Sequence, residues 1–309
     1  MKKICLITPC YNEESNIAEL YRRTSAVFAQ LSNYQWEWLF IDNASQDRTV
    51  EKVKELIKLD PRLKLIVNAR NFGHIRSPFH AVLQSDSDAI VLMASDLQTP
   101  PEMMLDFVKG WEEGFHSVIA VKATSAERGP YYWLRKLYYR IVTALSDIEL
   151  VQGFDGFGLF DKAVVDAIKK MADPYPYFRG IVCEAGFNRK EIPFNQPLRK
   201  RGISSNNFYT LYDIAMLGII NHSKIPLRLA IIVGFVLAFL SFLVACGYLV
   251  YKLLNWDSFA LGVAPAVIGL FLMISVQLIF MGIFGEYLGA IHDLTKNRPH
   301  VIEKERVNF

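Results

Sequence analysis

Residues 91–104, VLMASDLQTPPEMM, carry an apolar run into a single carboxylate, Asp96, then Gln98, then Pro100–Pro101. An acid at the end of a buried strand is either the cap of a turn or one wall of a ligand site. The flanking sequence decides. Around it lie more short apolar runs, KICLITP (3–9), WEWLFID (36–42), LKLIVN (63–68) and HSVIAV (116–121). Helix-period stretches separate them: Glu13 to Leu31, Arg48 to Leu59, Ser77 to Ser85 and Pro101 to Glu113. Strands alternating with helices specify an α/β domain, Rossmann-like, with a mostly parallel sheet covered on both faces. Asn12 is placed to cap the first helix, with Glu13 and Glu14 in its first turn. Ser77–Pro78 reads as the start of the third helix. In open sheets of this class, ligands sit beyond the carboxyl ends of the strands. Three polar clusters fall there: TPCYNEE (8–14), IDNASQD (41–47) and SDLQTPP (95–101). That convergence marks Asp96 as more than a strand end.

Composition narrows the function classes. The chain has 309 residues, enough for one large or two ordinary domains, and its formal net charge of +3 is too small to argue for nucleic acid. Cys5, Cys10, Cys183 and Cys246 are scattered, which supports neither a zinc site nor a disulfide framework. MKKICLITPC begins like a signal peptide but runs straight into a turn, so it reads as a strand. Neither a GxGxxG fingerprint nor a P-loop occurs. RNFGHIRS (70–77) has the glycine and basic character of a phosphate-facing loop, and equally that of an ordinary strand-to-helix turn.

Hydropathy divides the chain. Residues 229–251 and 259–285 carry no charge, and each run exceeds the ~20 apolar residues that cross a bilayer. Only KLLNWDS separates them, while Lys224 and Arg228 precede the pair and Lys296, Arg298, Lys304 and Arg306 follow it. The positive-inside rule then places both ends in the cytoplasm, on a multi-pass inner-membrane hairpin. Residues 123–146 are basic and aromatic. Lys122, Arg128, Arg135, Lys136 and Arg140 could form a surface for an anionic ligand, or a solvated basic face. Trp133, Tyr138 and Tyr139 among them tilt the stretch toward a membrane interface. The expected organisation is an α/β domain over 1–205, an interfacial amphipathic helix over 206–228, two transmembrane helices over 229–285 and a cytoplasmic tail over 286–309.

These motifs together resemble the family 2 glycosyltransferases. TPCYNEESNI, FIDNASQDRT, RNFGH, SDLQTPPE, KIPLRLA and GEYLGAIHDLTKNRP carry the likeness. More narrowly they resemble the polyisoprenyl-phosphate group, which includes bactoprenol glucosyltransferases and dolichol-phosphate mannose synthase. The resemblance implies a GT-A fold, a nucleotide-diphospho-sugar donor such as a UDP-hexose, a polyprenyl-phosphate acceptor and a divalent cation, Mg²⁺ or Mn²⁺. It also implies inversion at the sugar and a product used in cell-envelope glycan modification; a homo-oligomer is expected. Carried over to this chain, Pro9, Tyr11, Asn12 and Glu13 border the nucleoside, and Asp42 reads the base edge. Asp96 and Gln98 hold the metal on the diphosphate. Lys122 and Arg135, with Arg128 nearby, meet phosphate, and Arg199 and Arg201 lie in a later loop that closes over the site.

Three positions depart from the family's usual pattern. Asn43 stands where a second Asp is usual, Ala94 replaces the first acid of Asp-x-Asp, and FGL near residue 157 lacks the Arg of FRL. Asp155 is the nearby acid that could take over lost contacts. His74 and His80 could serve as bases, or simply pack. A processive polysaccharide synthase is excluded, because QPLRK lacks the Trp of the Gln-x-x-Arg-Trp motif and only two spans are present. The other alternative is a membrane-anchored nucleotide-sugar binding or scaffold protein that has lost catalysis.

Overall fold

The structure is a computed structural model that describes residues 1–123, 151–171, 173, 176–197, 263–295 and 298–309, with scattered positions between 232 and 254. Strand β1 (Lys3–Cys10) leads into α1 (Ile17–Gln30), β2 (Gln35–Asp42), α2 (Thr49–Leu59), β3 (Leu63–Asn68) and α3 (Gly73–Gln84). β4 (Ala89–Leu92), a 3-10 turn at Pro101–Met103, α4 (Met104–Glu112) and β5 (Ser117–Lys122) complete the alternation. Then come β6 (Phe154–Asp161), α5 (Lys162–Met171), α6 (Phe178–Glu184), β7 (Arg189–Phe194), α7 (Val263–Thr295) and β8 (Glu303–Val307).

The strands form one eight-stranded sheet in the order β7-β5-β6-β4-β1-β2-β3-β8. β4, β1, β2 and β3 are mutually parallel, and β5 and β7 run with each other. β6 is antiparallel to both β4 and β5, and β8 is antiparallel to β3. Six strands therefore end at one edge of the sheet and two begin there. The α/β class with a mostly parallel sheet agrees with the sequence.

Period-two alternation splits the core between the faces. Ile4, Leu6, Trp38, Phe40 and Leu65 pack against α1 and α4, through Leu20, Phe28 and Phe107. Cys5, Ile7, Leu39, Ile41 and Ile66 face the other way, against Phe79 of α3 and Val164 and Ile168 of α5. Two helix starts differ from expectation. Asn12 does not cap α1; that helix begins at Ile17, and Asn12 sits at φ +56° with its Oδ1 accepting from Gln46 N at 2.8 Å. Pro78 lies inside α3 rather than at its first position, because the helix begins at Gly73.

Helix α7 runs for 33 residues, and its large apolar side chains Leu270, Met273, Leu278, Ile279 and Leu288 are exposed. Several side chains along 229–295 lie outside the described residues, and among the described residues alone no helix is long and apolar enough to cross a membrane. The interfacial helix expected over 206–228 lies outside the described residues. Residues 303–307, expected as part of a tail, supply the eighth strand of the sheet.

Candidate active site

The carboxyl edge of the sheet brings the three polar clusters together. Cys10 and Asp42 end adjacent parallel strands in register, so the loops after β1 and β2 leave side by side. They are laced to each other: Asn12 N donates to Ser45 Oγ at 2.9 Å, Glu13 N to Thr49 Oγ1 at 2.8 Å, and Glu14 N to Asp47 Oδ2 at 3.1 Å. Arg48 N returns the exchange to Glu14 Oε2 at 3.0 Å. Within this clasp Tyr11 is exposed, whereas Glu13 is buried. Pro9, buried less deeply, accepts from Ser95 Oγ at 2.9 Å and so joins the β1 loop to the Asp96 loop.

Asp42 is 1% exposed, and its carboxylate accepts from Ser45 N at 2.9 Å and from Ser45 Oγ. Burial pushes its pKa above the ordinary Asp value, with the Ser45 bonds pulling against it. A carboxylate has about four acceptor positions, so the Ser45 hydroxyl and amide and the Ala44 amide leave one for a donor from a ligand.

Asn43 explains its own departure from the family pattern. Its Nδ2 donates to Asn71 Oδ1 at 2.8 Å and to Gly73 O at 3.1 Å, while its Oδ1 accepts from Asn68 Nδ2 at 3.1 Å and Phe72 N at 2.9 Å. Asn68 Nδ2 also donates to Ser77 Oγ at 2.9 Å. Only an amide both gives two and takes two here. Asn43 is therefore the peg that fixes the RNFGH loop. An aspartate would face two oxygens with no proton to offer, so Asn43→Asp is expected to cost about 2–4 kcal/mol, more than Asn43→Ala. Thermal unfolding in detergent checks the ordering; an Asp variant as stable as the parent would refute the peg.

Asp96 lies half-buried just past β4. Its Oδ1 accepts from Gln98 N at 3.1 Å, which closes the turn, and its other oxygen carries no hydrogen bond among the described residues. Leu97, between them, is held at φ +59°. Asn12 (φ +56°), Ala44 (φ +62°) and Leu97 thus place one left-handed, non-glycine residue in each of the three loops. Such conformations cost of order 1–3 kcal/mol and concentrate where a fold holds loops for function. Gln98 Nε2 reaches Pro197 O at 3.5 Å, at the threshold of the later basic loop. Arg23 on α1 grips Glu102 through two hydrogen bonds, at 2.9 and 2.6 Å, and so pins the 3-10 turn behind Asp96.

Lys122 and Asp155, assigned to different tasks by sequence, form an ion pair, Nζ to Oδ2 at 3.0 Å. Asp155 also accepts from Phe157 N at 3.3 Å. Both stand at the same edge, because β5 ends where β6 begins. Arg128, Arg135, Arg199 and Arg201 lie outside the described residues.

The metal assignment can be tested against these groups. Ala94 offers no carboxylate, and among the described residues no cluster of three or more His, Cys, Asp or Glu could hold an ion. What remains is one open carboxylate oxygen on Asp96 and the Gln98 amide. Mg²⁺ is commonly held by one or two carboxylates plus substrate phosphates, so these residues fit an ion that arrives with a diphosphate rather than one caged in advance.

The family model described as glycosyl transferase family 2 matches residues 5–169, more than half of the chain. The chain belongs to that family. Its relatives match along nearly their whole length. An uncharacterized glycosyltransferase, YkcC, of Bacillus subtilis is 31% identical over 97% of this chain and 93% of its own. The SfII prophage-derived bactoprenol glucosyl transferase of Shigella flexneri is 29% identical over 98% of both chains. Among solved structures, a mannosyltransferase from Pyrobaculum calidifontis, in complex with GDP-Man and Mn²⁺, aligns at 13% identity over 96% of this chain and 87% of its own, with a TM-score of 0.44. The protein is a family 2 glycosyltransferase, and the edge carrying Asp42, Asp96 and the Lys122–Asp155 pair is its candidate active site.

Proposed function

We propose that this glycosyltransferase moves a hexose from a nucleotide-diphospho-sugar, a UDP-hexose, to a polyprenyl phosphate at the cytoplasmic face of the inner membrane. The observation that carries the reading is the joint one. Asp42, Asp96 and Lys122–Asp155 lie at one sheet edge, in a chain that matches a bactoprenol glucosyl transferase over 98% of its length. The membrane placement is supported by the charge-free runs 229–251 and 259–285 and by the exposed apolar side chains of α7. A helix that is apolar on all sides needs lipid or protein around it.

The acceptor is a phosphate monoester, already ionised near neutral pH, so no Ser-His-Asp machinery is required. Its oxygen attacks the anomeric carbon as the nucleoside diphosphate leaves, and a single displacement inverts the sugar. The remaining demand is electrostatic: to hold two anions together and in line. Asp42 and the clasped loops hold the nucleoside side. Asp96 and Gln98 would hold a divalent cation, which neutralises the diphosphate when bound. Lys122 offers its charge to phosphate in competition with Asp155.

The test is a donor screen in membranes, with polyprenyl phosphate and added Mg²⁺ or Mn²⁺, measuring both donor loss and lipid-linked sugar. Metal-dependent formation of one lipid-linked hexose is expected. Binding of a donor with no turnover under any condition would instead favour the scaffold reading.

A further inference from the structure

The two longest excursions of the chain leave the sheet and re-enter it at one edge. Residues 123–153 depart after Lys122, at the carboxyl end of β5, and return at Phe154, opposite Val121, to open the antiparallel β6. Residues 195–302 depart after Phe194, at the carboxyl end of β7, and return at Glu303, opposite Asn68 at the carboxyl end of β3. This is the edge of Asp42, Asp96 and Lys122. The other edge carries the short connections 31–34, 60–62, 85–88 and 113–116, and residues 162–188, which leave after β6 and return to β7 by way of α5 and α6. Within the excursions lie the basic, aromatic stretch 123–146 and both charge-free runs.

The return point is firmly built. Ala69 N donates to Ile302 O at 2.8 Å just before the β8 ladder begins. His80 Nε2 meets Glu303 Oε1 at 2.6 Å and Arg306 Nη2 donates to Gln84 Oε1 at 2.8 Å, both tying β8 to α3. Lys54 and Glu305, 2.7 Å apart, tie it to α2. The ring of His300 already stands edge-on to Phe79, with centroids 5.1 Å apart. Between Thr295, where α7 ends, and His300 the chain can span at most about 18 Å.

We propose that β8 is an orienting strap: by carrying the chain from α7 back into the sheet at the site edge, it turns that edge toward the phospholipid surface. The strap rests on the reading that α7 is inserted in the bilayer. An acceptor phosphate held at the headgroup level then meets the donor site without the domain having to search for it. The ion pairs on β8 are surface contacts worth little singly, so what orients the domain is the short connection together with the ladder.

The test loosens the strap without disturbing the strand. In the full chain, a flexible Gly/Ser insert of about 20 residues after Pro299 adds a coil of roughly 25 Å root-mean-square length and leaves β8 free to pair. Single fluorophores are placed by Gln46→Cys, exposed at the site edge, or by Leu59→Cys, 78% exposed at the opposite edge. The background carries Cys183→Ser and Cys246→Ser, since Cys5 and Cys10 are buried. The proteins are reconstituted in phosphatidylethanolamine–phosphatidylglycerol vesicles with a headgroup spin label.

With the native connection, the probe at position 46 is expected to be quenched several-fold more than the probe at 59, and the insert to bring the two together. Transfer to a long-chain polyprenyl phosphate in the bilayer should fall about tenfold as effective concentration is lost, while transfer to a short, water-soluble prenyl phosphate stays within about twofold. Equal quenching at both positions with the native connection overturns the proposal. So does an insert that changes neither readout, or one that lowers both transfers alike. Quenching needs no chemistry, so a native protein that shows the contrast but glycosylates no polyprenyl phosphate sinks the proposed function and not the strap.

Discussion

Asp96→Ala is expected to lower transfer by roughly 10²- to 10³-fold or more, the scale on which removing one charge-stabilising group acts at a reacting centre. The alanine alone would leave two explanations open, because Asp96 does two things. Its Oδ1 closes the turn by accepting from Gln98 N at 3.1 Å, and its other oxygen carries no hydrogen bond among the described residues. Asp96→Asn separates them, since an amide oxygen still accepts that bond but carries no charge. If the charge is what the reaction needs, the asparagine variant should be nearly as inactive as the alanine variant while unfolding at the parent temperature. The Arg23–Glu102 grip and the packing of Met104 and Phe107 behind the loop do not depend on Asp96, so both variants are expected to fold. Turnover of Asp96→Asn within about tenfold of the parent at saturating metal would remove Asp96 from the metal-diphosphate site.

Much of the site is legible in sequence because strands in a parallel sheet announce their own ends. β1, β2 and β4 are apolar runs followed by polar loops, so Asp42, the last residue of β2, and Asp96, in the loop that follows Leu92 at the end of β4, could be placed at the carboxyl edge from pattern alone. What escaped depends on partners distant in sequence. Asn43 looks like a lost acid until Asn68, Asn71, Phe72 and Gly73 are seen to use every one of its hydrogen-bonding positions. Lys122 and Asp155 become a pair only because β6 runs antiparallel beside β5. β8 was hidden for a different reason. EKERV has no apolar alternation, since an edge strand is held by its ladder and by charged side chains reaching to α2 and α3, not by burial.

Gly158 is where restoring the family's usual residue is expected to do most harm. In FGL the glycine stands near the place of an Arg, and a reading from sequence alone would take Gly158→Arg as repair. The backbone forbids it. Gly158 lies in β6, paired with Leu92 on one side and Ile119 on the other, next to a bulge in β5. A Cβ there would stand 2.6 Å from Val118 O and 3.1 Å from the Ile119 Cα, both main-chain atoms of the neighbouring strand. A flexible side chain could swing aside, but a central ladder cannot move without disturbing the strands on either side. Gly158→Ala alone is therefore expected to cost about 3 kcal/mol or more, at the upper end of overpacking penalties and a large part of a typical 5–15 kcal/mol total. Gly158→Arg adds a buried guanidinium to the same clash and should yield no folded protein. The comparison is made by recovery of monodisperse protein in detergent and by thermal unfolding of parent, alanine and arginine forms. An arginine variant that folds and transfers sugar faster than the parent would mean that β5 and β6 can separate enough to admit the side chain. The Lys122–Asp155 pair would then have to be re-read as a substitute for a missing arginine, not as the arrangement this backbone was built around.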